Sequence, residues 1–237
     1  MCSLCALVTC AHVLFRKGCV MVRTKICGIT NREDALKAAS LGAWALGFNF
    51  YKKSPRFIAP AKAKKIIGDL PPFITPVGIF VDQPLGAIRD IIEHCQLGAI
   101  QLHGVEDHHF CHRLRRYGAK IIKVFKVGED FDVSQLKDYN VDAFLFDTLS
   151  PEAPGGTGKT FNWSLLKDIK GQHKPFILSG GLNPQNVIEP VNAMKPYAVD
   201  VASGVESAPG KKDHRLLKEF IEIVSYISGP NVKSHVE

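Results

Sequence analysis

Val22-Arg23-Thr24-Lys25-Ile26-Cys27 reads as a short strand that stops on a thiol, with Gly28 directly after it. Ile29-Thr30-Asn31 then leads into Arg32-Glu33-Asp34-Ala35-Leu36. Thr30 or Asn31 can cap a helix there, and Glu33 and Asp34 favour its first turn. The helix reads from Glu33 to Leu41 and ends at Gly42. Strand, loop and helix in this order form the repeating unit of parallel α/β folds. Taken alone, Cys27 reads better as one more small buried hydrophobe than as a functional thiol at a barrel mouth.

Further along the chain the same beat repeats. Apolar strands are expected at Trp44–Phe48, Thr75–Val81, Ala99–Leu102, Ala119–Phe125, Ala143–Phe146, Pro175–Leu178 and Ala198–Val201. Helices are expected from Pro60 to Ile67, Leu85 to Cys95, in the stretch ending at Arg116, and, as a short one, at Val133–Tyr139. Others are expected around Trp163–Ile169, from Asn183-Pro184 onward, and at His214–Ser228. Pro60 suits a first helical position, whereas Pro55 keeps the loop before it non-helical. Strands this short and apolar suit a sheet buried on both faces, and the alternation implies right-handed parallel crossovers. Eight such units close a single (β/α)8 TIM barrel. A doubly wound open sheet is the alternative, but no GxGxxG follows the first strand.

Composition sets the bounds. The 237 residues are 46% hydrophobic and 22% charged, ordinary for a soluble globular chain, and no composition break divides them into two domains. The net charge of +7 is spread through the chain. Basic runs such as Arg113-Leu114-Arg115-Arg116 lack the interleaved aromatics of a single-strand nucleic-acid groove, so an anionic small molecule explains the charge as well. Cys27, Cys95 and Cys111 in the body fit a reducing, cytoplasmic setting better than a disulfide framework. Residues 1–20 read as a leader, disordered or upstream of the true start. Their apolar run is too short to span a bilayer, and Arg16-Lys17 lies on the wrong side for a secretory signal. The barrel is then expected over residues 21–230, followed by a tail at 231–237. No metal-ligand spacing and no cofactor motif appear, and the chain reads as a monomer or homodimer without membrane or nucleic-acid partners.

In a barrel the C-terminal strand ends share one mouth, where chemistry is done. Strand one brings Cys27 there, strand two leads to Arg56, strand four gives Gln101 and His103, and strand six gives Asp147. The last three loops are glycine-rich: Gly155-Gly156-Thr157-Gly158, Ser179-Gly180-Gly181 and Ala202-Ser203-Gly204. Such loops bring backbone N–H groups close to an anion, which points to a phosphorylated small molecule. Cys27 can serve as a base if nearby cations favour its thiolate, and Asp147 as an acid if Phe144 and Phe146 desolvate it. Asp147 otherwise reads as a loop-ordering carboxylate, and His103 as a structural histidine. Arg56 reads either as a surface ion-pair member or as a clamp for a substrate carboxylate.

The set resembles the phosphoribosylanthranilate isomerase family of tryptophan biosynthesis. The resemblance rests on Lys25–Thr30, Gly47–Phe50, Ser54–Arg56, Gln101–Gly104, Phe146-Asp147, Gly155–Trp163, Ser179–Val187 and Val199–Glu206, in the family's order. Ser179 and Asn162 depart from the usual alanine and aspartate. The resemblance implies an Amadori rearrangement of a phosphosugar without a cofactor. It also implies Cys27 as general base, Asp147 as general acid and Arg56 on the anthranilate carboxylate. Gln101 and His103 would contact substrate, and Gly156, Gly158, Gly180, Gly181, Ser203 and Gly204 would hold the phosphate. Related barrels resemble this chain less. The histidine-pathway isomerase has an aspartate pair where Cys27 stands, and indole-glycerol phosphate synthase needs a lysine acid at the mouth. Whether a second aminoaldose is accepted, or the barrel binds without turnover, stays open on sequence alone.

Overall fold

The computed structural model describes residues 21–128, 131–148 and 174–228. Eight parallel strands close into one barrel in chain order: β1 Arg23–Ile26, β2 Ala45–Asn49, β3 Thr75–Phe80, β4 Ala99–Leu102, β5 Lys120–Val127, β6 Ala143–Thr148, β7 Phe176–Ser179 and β8 Ala198–Val201. Closure is the pairing of β8 with β1, in which Lys25 lies opposite Asp200 and Ile26 opposite Val201.

Helices cover the outside: α1 Arg32–Ser40, α2 Pro60–Gly68, α3 Leu85–Cys95, α4 His108–Leu114, α5 Ile188–Met194 and α6 His214–Ser228. Asn31 caps α1 by accepting from the Asp34 N–H, with Glu33 and Asp34 in the first turn as the sequence suggests. The short helix expected at Val133–Tyr139 is present as a 3₁₀ helix over Val133–Asp138. One element differs from expectation. The Asn183-Pro184 stretch forms a turn, in which the Asn183 side chain accepts from the Gln185 and Asn186 N–H groups, so α5 begins only at Ile188. The helix expected at Trp163–Ile169 and the leader lie outside the described residues.

Strand alternation sorts the side chains into two layers. Val77, Ala99, Ile122, Val124, Ala143, Leu145, Ile177 and Ala198 fill the lumen. Ile26, Leu46, Phe48, Phe80, Ile100, Leu102, Phe144, Phe146, Leu178, Val199 and Val201 face the helices. The lumen is thus packed by small and branched residues, and whatever chemistry the fold performs belongs to its mouth. Below that mouth the lumen carries a charged layer: Lys25 and Asp200 are 3% and 4% exposed and bond at 2.8 Å. Among the described residues no helix is long and apolar enough to cross a membrane.

Candidate active site

Cys27 directly follows β1 on the inward face, two residues above Lys25, and its backbone N–H reaches the Val201 carbonyl at 2.8 Å. Burial pushes the thiol above its ordinary range, and the Asp200 carboxylate adds to this. The Lys25 and Lys212 ammonium groups pull the other way without overcoming it. The cations that the sequence left unspecified are therefore Lys25 and Lys212. Gly28 takes a left-handed φ of 79°, and a Cβ there would sit 2.5 Å from the Arg56 Cδ. Glycine at this position lets the Arg56 stem cross the strand end beside Cys27.

Arg56 reaches the site from the β2 loop, whose path is fixed by side chains. Asn49 Nδ2 donates to Ser54 Oγ at 3.1 Å, which also accepts the Arg56 N–H at 3.1 Å. The guanidinium donates to Glu206 through Nε and Nη2, at 2.7 Å for the shortest contact. Arg56 is thus an ion-pair member, but at the mouth, with its partner nearly buried. Lys212, fully buried, donates to Glu206, to the Ala202 carbonyl and to the Cys27 carbonyl at 3.0, 3.1 and 2.6 Å. Burial alone would raise the Glu206 carboxyl, but the hydrogen bonds from Arg56 and the Lys212 charge outweigh it and hold the group below its usual range.

On the other side of the mouth, His103 Nε2 lies 3.2 Å from Asp147 Oδ2, and Gln101 Nε2 lies 3.5 Å from His103 Nδ1. The His103-Gly104 turn is tied from outside the barrel. Glu106 accepts the Gly104 and Asp82 N–H groups, and buried Lys123 bridges Glu106 Oε2 and the Gly104 carbonyl at 2.8 and 2.7 Å. The expected phenylalanine wall around Asp147 is corrected by strand alternation. Phe144 and Phe146 point outward into an aromatic cluster with Phe125 and Phe176, while Asp147 is 27% exposed and faces His103.

The loops after β7 and β8 meet closely. A Cβ on Gly204 would run into the Leu182 carbonyl, so only glycine permits this approach, and Gly180 and Gly181 have φ of 95° and 66°. Gly156 and Gly158 lie outside the described residues. Among those residues no cluster of three or more His, Cys, Asp or Glu side chains could hold a metal. Sequence reasoning missed Lys25, Asp200, Glu206 and Lys212 as site residues. The one local signal was Lys25 standing two residues before Cys27, on the same strand face.

The family model described as N-(5'phosphoribosyl)anthranilate (PRA) isomerase matches residues 24–223. The N-(5'-phosphoribosyl)anthranilate isomerase of Geobacter sulfurreducens is 50% identical over 201 residues, covering 85% of this chain and 97% of that protein. The crystal structure of phosphoribosyl anthranilate isomerase from Thermotoga maritima is 44% identical, with a TM-score of 0.80 over 86% of this chain and 98% of that one. A second such structure, in complex with reduced 1-(o-carboxyphenylamino)-1-deoxyribulose 5-phosphate, is 41% identical, with a TM-score of 0.76 over 85% of this chain and 97% of that one. With a family model that spans most of the chain and relatives this similar along nearly their whole length, the chain belongs to the N-(5'-phosphoribosyl)anthranilate isomerase family.

Proposed function

We propose that the mouth carries out the Amadori rearrangement of N-(5'-phosphoribosyl)anthranilate, with Asp147 as general acid and Cys27 as general base. Asp147 gives its proton to the ring oxygen as the C1'–oxygen bond breaks, and the anilino nitrogen lone pair forms a protonated C1'=N bond. The Cys27 thiolate removes the C2' proton. The freed electron pair makes C1'=C2' and returns the other pair to nitrogen. The resulting enolamine becomes the ketone when C1' gains a proton and the 2'-hydroxyl loses one. Electrons only change places within the substrate, so no external oxidant or reductant is required. A thiol raised by burial forms little thiolate at neutral pH, but each thiolate is a stronger base than free cysteine. Lys25 and Lys212 supply the positive charge that makes its formation tolerable.

Arg56 would hold the anthranilate carboxylate, and Ser179–Gly181 with Ser203-Gly204 the phosphate; Gly156 and Gly158, which the resemblance adds to the phosphate set, lie outside the described residues. The observation that carries this reading is that Cys27 and Asp147 end β1 and β6 on one rim, separated by the β7 and β8 strand ends with their glycine loops. The test is the loss of phosphoribosylanthranilate fluorescence with the parent, Cys27→Ala and Asp147→Asn. Rapid loss in the parent and a drop of about 10²–10⁴-fold in each variant are expected. Variants as fast as the parent would remove both assignments.

A further inference from the structure

Arg56 does not meet the mouth as a free side chain. Its Nε–H and one Nη2–H are spent on the two oxygens of Glu206, at 2.9, 3.1 and 2.7 Å. A guanidinium has five donors in a fixed plane, so this side-on grip leaves both Nη1 donors and the second Nη2 donor. No described residue accepts from Nη1. What remains is the end-on fork, the edge that binds a carboxylate through two parallel hydrogen bonds. Glu206 cannot swing with Arg56, because Lys212 Nζ holds it at 3.0 Å and the Gly210 N–H at 3.3 Å. Lys212 is in turn fixed to the carbonyls of Cys27 and Ala202.

We infer that Glu206 is a positioning residue that aims the free fork of Arg56, and so makes the mouth selective for a substrate bearing a carboxylate beside the reacting amine. The inference deepens the isomerase reading and rests on it. Its hold on Arg56 matters only to substrates that use Arg56, whereas its bond to Lys212 bears on every substrate alike. Its removal should therefore weaken binding of the carboxylated substrate selectively. A mere scaffold role, tying the β8 loop to the β2 loop, would affect every substrate alike.

The experiment uses the full chain, with Glu206→Gln, Arg56→Met and the double variant. Two substrates are compared: phosphoribosylanthranilate and its counterpart built on aniline, which lacks the carboxylate. Glu206→Gln is expected to raise KM for the first by about 10–100-fold, the range typical of lost positioning partners, with kcat little changed. KM for the aniline compound should rise far less, and any change in kcat that passes through Lys212 and Cys27 should be shared by the two compounds. In the Arg56→Met background the same change should raise KM no further, since the two residues act as a unit in binding the carboxylate. Equal rises in KM on both compounds, an unchanged KM for the first, or additive rises in KM in the double variant would overturn the inference. Should Glu206→Gln not fold, Glu206→Asp keeps the charge and shortens the reach, and the same substrate-dependent split in KM is read from it. A parent inactive on both compounds would instead overturn the isomerase reading itself.

Discussion

The two sides of the mouth are built differently. On the β1–β8 side every charge is fastened: Lys25 to Asp200, Lys212 to Glu206, and Arg56 to Glu206, at 2.7–3.0 Å, with all but Arg56 at most 4% exposed. On the β4–β6 side His103 and Asp147 are about a quarter exposed and meet at 3.2 Å. Gln101 lies behind them with its side-chain oxygen buried and without a hydrogen-bond partner among the described residues. The β1–β8 side is therefore assembled before any substrate arrives. The β4–β6 side keeps spare hydrogen-bonding capacity and contact with water, as the acid role proposed for Asp147 requires. Long bonds around a catalytic acid are common in an unliganded site and tighten in the complex.

The sharpest way to break this contrast is to unpair the dry side. Lys25→Met would leave Asp200 as a buried carboxylate without its cation, which typically costs about 3–5 kcal/mol. Urea unfolding should show that loss, and Lys25→Met with Asp200→Leu should recover most of it, because an apolar pair fills the space without a stranded charge. A Lys25→Met protein as stable as the parent would mean that the pair is open to water and the two sides are alike.

A smaller effect is expected on the thiol itself. Asp200 raises Cys27, so Asp200→Asn should lower the midpoint for alkylation of Cys27 by iodoacetamide, read against a Cys27→Ala control. In the parent that midpoint should lie above the ordinary thiol value of about 8.5. The sign follows from charge: removing a neighbouring anion makes the thiolate easier to form. A midpoint that rises or stays put would show that Lys25 and Asp200 do not face the thiol as a pair.

The barrel was legible because its cause is local. Apolar strand runs recur in each unit, α1 and α4 carry the side-chain caps Asn31 and Asp107, and observed boundaries fall within a residue or two of most expected ones. Where side chains compete with the helix, reading by pattern slipped. Asn183 uses its carbonyl oxygen in a turn and delays α5. The site was legible as far as single strand ends go. The pairs that tune it were not, because Lys25 and Asp200 are 175 residues apart and Arg56 and Glu206 are 150 apart. No local pattern encodes which cation meets which carboxylate across a closed barrel. The supposed phenylalanine wall shows the opposite error: Phe144 and Phe146 are near Asp147 in sequence, yet alternation sends them to the other face.

The mildest effect is expected on the open side, and it tests the contrast most directly. His103 touches Asp147 through one 3.2 Å hydrogen bond at a partly hydrated edge. Such a bond has water as an alternative partner, so its loss is cushioned. His103→Gln should slow turnover about tenfold, equivalent to about 1.4 kcal/mol of barrier. It should change unfolding stability by no more than about 0.5 kcal/mol, as for other substitutions away from buried networks. The turn that carries residue 103 would survive, because Glu106 and Lys123 hold it through backbone groups. Steady-state kinetics and urea unfolding on the same preparations separate the two quantities. A His103→Gln protein that loses stability as Lys25→Met does would place His103 among the structural histidines. One that keeps both rate and stability would leave Asp147 to be oriented by substrate alone.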